Sequence, residues 1–182
     1  MRYEELFRNG ENTIADEAAT RNDRLIAIRK ANRENLLRRL GSNDTHKFEI
    51  VTRFRGVNFI NDSHACTVNA TYFTFDQLNS KIVWMAGGND VQTPYIELLS
   101  HVIQKVKALI CIGKNNQQLI NIFSPYLPVI ISRQNMADAV RSAFYSANSG
   151  DTVLLSPACE CDDLYIDHLH RGESFKQAIT EL

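Results

Sequence analysis

Four runs of four or five residues, Ile82 to Ala86, Ala108 to Ile112, Pro128 to Ile131 and Thr152 to Leu155, are dominated by apolar side chains. Runs so short and so uniformly apolar have no polar face to turn to water, so they suit strands buried on both faces of a sheet. Segments of helical length lie between and after them, at 67–78, 95–106, 116–123, 136–148 and 173–182. Alternation of this kind predicts an α/β fold, a mostly parallel sheet with helices on both faces. Upstream, His46 to Arg53 and Val57 to Ile60 flank Arg55-Gly56 and predict a hairpin.

The pattern before residue 46 is different. No proline or glycine occurs from Thr13 to Leu40, Thr13 and Asp16 have the spacing of a helix start, and Gly41 suits the left-handed position after a helix end. One long N-terminal helix is expected there, and the chain divides into a helical extension over 1–45 and an α/β domain over 46–182. The stripe formed by Leu25, Ile28, Leu36, Leu37 and Leu40 is thin and surrounded by charge. It fits an arm packed by one edge on its own domain, or the seam of a homodimer.

Composition narrows the class. A net charge of -1, with 44% hydrophobic and 23% charged residues, gives no reason to expect nucleic-acid or membrane-surface partners. No apolar run approaches the roughly 18 residues of a membrane span, and Met1-Arg2-Tyr3-Glu4-Glu5 lacks the layout of a secretion signal. A cytoplasmic protein is expected. The four cysteines, Cys66, Cys111, Cys159 and Cys161, do not make a secreted disulfide framework and are expected as reduced thiols.

In a parallel sheet, ligands meet the C-terminal ends of the strands. That places 61–67, 87–93 and 156–171 on one rim. The paired Gly87-Gly88 after a strand is weak evidence for a phosphate turn, since a tight connection uses the same residues. The segments Phe59-Ile60-Asn61-Asp62-Ser63-His64-Ala65-Cys66 and Leu154-Leu155-Ser156-Pro157-Ala158-Cys159 are more specific. With His46-Lys47-Phe48-Glu49 before them and Arg171-Gly172 after, they resemble the C-terminal domain of the Mur ligases, closest to the UDP-N-acetylmuramoyl-L-alanine:D-glutamate ligases of peptidoglycan synthesis. The resemblance covers 46–182 and implies a Rossmann-like domain.

It also implies site residues. A nucleotide-facing edge falls on His46, Lys47, Asn61 and Asp62; read from the residues alone, Asp62 caps a nearby helix and His46 opens a strand. The amino-acid pocket falls on His64, Cys66, Val91, Cys161 and His168, each a departure from the family's residue, and lysines are lost at His64 and Val91. A dicarboxylate placed there without them carries an uncompensated desolvation cost. His64, Cys66, Cys161 and His168 are also types that zinc favours, with Asp162, Asp163 and His170 nearby, so a tetrahedral zinc site is one expectation and drift in a disused pocket the other.

In the family, ATP and magnesium are handled by a central domain that precedes this one. No Gly-x-x-x-x-Gly-Lys-Ser/Thr segment is present, and Gly113-Lys114 is followed by Asn115. Three functions are therefore expected in turn. The first is a stand-alone, noncatalytic homologue that binds a partner such as an intact Mur ligase, a nucleotide or a peptidoglycan precursor. The second is the C-terminal part of a D-glutamate-type ligase working in trans with a separate ATP-binding chain. The third is a metal-binding module on the remodelled pocket.

Overall fold

The computed structural model describes residues 46–88, 93–161 and 164–182. The helix expected over 13–40, with the homodimer seam assigned to it, lies outside the described residues, as does Val91.

Two strands, β1 (Glu49–Phe54) and β2 (Val57–Asn61), form the predicted hairpin. Arg55 and Gly56 both take positive φ, 48° and 83°, as a two-residue turn matched to strand twist requires. Then follow α1 (Val68–Gln77), β3 (Ile82–Ala86), a 3-10 turn (Tyr95–Leu98) running into α2 (Leu99–Lys105), and β4 (Val106–Ile112). The chain continues through α3 (Gln117–Phe123), β5 (Ile130–Arg133), α4 (Met136–Ser146), β6 (Thr152–Leu155) and α5 (His168–Thr180). The six strands lie in one sheet in the order β1-β2-β6-β3-β4-β5. Only the β1–β2 pairing is antiparallel.

Successive strand residues point to opposite faces, and the sheet divides its apolar residues accordingly. Trp84, Leu109, Cys111 and Leu154 face one core, with Phe75, Leu98, Val102 and Phe123 from the helices on that side. Val83, Met85, Ile110, Val153 and Leu155 face the other, against Val140, Ala143, Phe175 and Ile179 of α4 and α5. Helices therefore cover both faces. Trp84 is fully buried, set edge-on to Phe75 and Phe123 at 5.2 and 5.6 Å, and its indole N–H donates to the Ser156 carbonyl at 2.7 Å.

Several boundaries differ from the sequence reading: β4 starts two residues early, at Val106, β5 runs Ile130–Arg133 and not Pro128 to Ile131, and α4 ends at Ser146; three further differences have a local cause. His46 and Phe48 take φ of 70° and 47°, a left-handed backbone that excludes a strand, so β1 begins at Glu49 and not at His46. The helix expected over 95–106 starts as a 3-10 turn and ends at Lys105, whose ammonium donates to the carbonyls of Phe75 and Leu78 at 2.6 and 2.9 Å, closing the C-terminus of α1. The last helix starts at His168 instead of Glu173, because the Asp167 carboxylate accepts from the His170 amide at 2.7 Å and caps it five residues earlier than expected. Arg171 and Gly172 thus belong to a helix. Among the described residues, no helix is long and apolar enough to cross a membrane.

Candidate functional site

β2, β6 and β3 are neighbours and parallel, with Leu155 registered against Asn61 on one side and Met85 on the other. Their C-terminal ends deliver residues 61–67, 87–88 and 156–161 to one rim, and the first turn of α5 closes it from the side. The described parts of the predicted loops are in this sense brought together.

His46, Asn61 and Asp62 are buried, and their polar groups engage one another and their own domain. The Asn61 amide nitrogen donates to Glu49 at 2.9 Å and lies 2.8 Å from His46 Nδ1. His46 Nε2 lies 3.3 Å from the Glu173 carboxylate, and Lys176 joins Glu173 to Glu49 at 2.7 and 3.3 Å. That hydrogen bond from Lys176 holds the Glu173 carboxyl below the usual carboxylate range. Asp62 accepts from the Phe48 amide at 3.2 Å, the Thr74 hydroxyl, and the Ser156 hydroxyl at 3.1 Å. Ser156 in turn lies 2.8 Å from Thr71 Oγ1. Asp62 therefore ties β2, β6 and α1 together through side chains; it does not cap α1, a role held by Thr67, which accepts from Ala70. Lys47 is half-buried beside them.

On the pocket side, His64 and His168 bring their rings edge to face at 4.5 Å between centroids, which places the β2 loop against the start of α5. Cys66 Sγ sits 3.3 Å from Arg171 Nη2 and 3.8 Å from the Ser63 carbonyl. Burial pushes the Cys66 thiol above its ordinary range, and the Arg171 charge opposes that without overcoming it. Cys161 is half-buried, and Cys159 is packed in the core as a small apolar residue. Among the described residues, no three of His, Cys, Asp or Glu converge to hold a metal ion, so the four-ligand set drawn from His64, Cys66, Cys161 and His168 is not assembled. The partner Cys66 has is a guanidinium, which disfavours a second cation on the same sulfur.

The residue that sequence reasoning passed over is Arg171. In the sequence it stands out only as half of the Arg171-Gly172 pair, yet in the fold it is 2% exposed. Nη2 donates to the Ser63 carbonyl at 2.8 Å, while Nε and Nη1 have no hydrogen-bond partner among the described residues. Beside it, Gly88 takes φ +150°, and a Cβ there would collide with the Glu160 carbonyl and stand 3.2 Å from Cys159 Sγ and 3.4 Å from Arg171 Nη1. The signal in the sequence was an arginine next to a glycine, on a helix that packs against the sheet. Gly172 lets that helix approach: a Cβ there would run into His46 Nδ1 and come within 2.5 Å of Ser63 Oγ.

Comparison with known proteins agrees with this architecture. The sequence model of the family described as "Mur ligase, glutamate ligase domain" matches residues 46–159. The UDP-N-acetylmuramoylalanine–D-glutamate ligase of Christiangramia forsetii is 37% identical over 175 residues, covering 96% of this chain and 38% of that protein. The enzyme of the same name from Bacteroides thetaiotaomicron is 36% identical over 184 residues, covering 100% of this chain and 41% of that one. The chain thus spans about two fifths of the length of these curated relatives. The likeness also takes in residues before 46, where the sequence reading had ended it. Among solved structures, the MurF ligase of Thermotoga maritima in complex with ADP aligns with a TM-score of 0.52 at 12% identity, covering 77% of this chain and 32% of that one, a likeness of fold.

Proposed function

The chain belongs to the Mur ligase family through its glutamate ligase domain, and on that premise we propose that it acts by binding, receiving an anionic group of a peptidoglycan precursor or amino acid at the rim in the cytoplasm. Phosphoryl transfer from ATP, which needs a phosphate loop and magnesium, is then the work of residues other than these 182, in a longer polypeptide or in a separate partner chain. The observation that carries the reading is the approach of Cys66 to Arg171 at 3.3 Å, which joins the β2 loop to α5 over the strand ends and puts a buried cation where ligands of parallel sheets are held. The inward bonding of His46, Asn61 and Asp62 favours binding over a nucleotide-handling role for those side chains.

The test is to mix the purified 182-residue chain with ATP, magnesium, D-glutamate and the muramoyl-alanine nucleotide. Phosphate release at background level is expected. Turnover that disappears on Asp62→Ala would overturn the binding-only reading. Adding a Mur ligase central domain then asks about the partner: restored ligation assigns the chain to work in trans.

A further inference from the structure

The 3-10 turn Tyr95–Leu98 runs directly into α2, with the Leu99 amide donating to the Ile96 carbonyl. Residues three apart coincide in a 3-10 turn and residues four apart nearly coincide in an α-helix, so Ile96, Leu99 and Ile103 lie along one line. The opposite side of the segment is in the core, where Tyr95, Leu98 and Val102 are fully buried. Leu99 rests half-buried at the core margin, while Ile96 and Ile103 are 54% and 55% exposed. One isoleucine in water is ordinary. Two on a single line, of a residue type that solvated helix positions disfavour, make an uncovered apolar stripe.

The two ends of the stripe differ in charge. Glu97, exposed, stands in its first turn. Lys105 stands in its last, and Lys81 reaches the same end from the loop before β3, its ammonium donating to the Gln104 carbonyl at 2.9 Å. A half-turn about an axis through Leu99 and Ser100, perpendicular to the helix, brings such a stripe onto itself in a complementary sense. Ile96 falls opposite the partner's Ile103, and Glu97 falls at the end that carries the partner's Lys81. Antiparallel alignment also sets opposed helix dipoles side by side. We propose that two copies of this chain associate through α2 in this way, the apolar line of each covering that of the other. None of these residues belongs to the rim, so the association is independent of the binding reading above.

Sedimentation equilibrium of the full chain reads the association directly. The average mass is expected to climb from one chain toward two as concentration rises through a Kd on the order of 0.1 mM, the weak end suited to a surface smaller than the roughly 1,200 Å² of a standard interface. Ile103→Glu places a carboxylate against the partner's Ile96 and is expected to weaken the dimer at least about tenfold, equivalent to about 1.4 kcal/mol. Adding Ile96→Lys to it is expected to recover the dimer, because the antiparallel pairing sets position 96 of each copy against position 103 of the other. Trp84 emission checks that each variant is folded. Should Ile103→Glu not fold, Ile96→Glu takes its place, with Ile103→Lys as the recovering change. A chain that stays single at every concentration, a dimer indifferent to the first change, or a loss that the second does not recover overturns the proposal.

Discussion

His46 Nδ1 occupies the space that a side chain on Gly172 would need. Two residues far apart in sequence are therefore fitted to each other: α5 approaches the strand ends because one of its residues has no Cβ, and the imidazole that fills the gap is 3% exposed. Gly172→Ala has to move His46, Ser63 or Asn61, all buried. Overpacking of this kind costs about 1–3 kcal/mol. A lowered midpoint in urea, with the slope unchanged, is expected; a variant as stable as the parent would mean that His46 swings out freely.

A second prediction concerns Lys105. Its ammonium closes the C-terminus of α1 by donating to the carbonyls of Phe75 and Leu78. Lys105→Met keeps the aliphatic stem and removes the donors, so a loss of about 1–2 kcal/mol is expected from charge-assisted hydrogen bonds at a half-exposed site. Thermal unfolding measures it. Lys105→Arg should recover part of the loss.

Cys66 gives a dependence on pH. Its thiol is raised by burial, so the native state holds that proton more tightly than the unfolded chain. Stability is expected to fall as pH climbs through the ordinary thiol range toward the raised value, because there only the unfolded chain has released the proton. Alkylation of Cys66 in the native protein should lag behind a free thiol throughout that window. Cys66→Ser is expected to flatten the alkaline limb of the stability curve, and an unchanged limb would assign it to other groups.

Trp84 is the single tryptophan of the chain. Fully buried between Phe75 and Phe123, it is expected to emit at short wavelength when folded and to shift red in one transition on unfolding. Its N–H supports the Ser156 carbonyl behind the rim. Trp84→Phe leaves that carbonyl without its donor and a void beside it, for about 2–3 kcal/mol. Denaturant titration of both proteins checks the figure.

The strands were legible because an apolar run of four or five residues has few other uses, and Ile82 to Ala86 and Thr152 to Leu155 appear as read. The ends of elements were less so. His46 to Phe48 read as strand by composition, but two left-handed residues are decided by the contacts of His46 with Asn61 and Glu49. The site divided along the same line. Short motifs brought His64, Cys66 and His168 into view, and the first and last of these do meet. Arg171 was overlooked because burial of an arginine depends on how closely α5 lies on the sheet, and only Gly172, read in three dimensions, reveals that distance.

The position of β6 has a consequence for synthesis. It fills the slot between β2 and β3, yet it is the last strand to be translated. A nascent chain that has emerged through α4 holds the β1–β2 hairpin and the β3-β4-β5 triplet with no backbone link of hydrogen bonds between them. Both flanks of the slot expose strand edges, the surfaces most prone to pair with a wrong neighbour. Insertion of Thr152–Leu155 joins the halves and, in the same event, brings Ser156 to Asp62. The rim is therefore absent from every shorter intermediate on the ribosome and is created when the sheet is sealed.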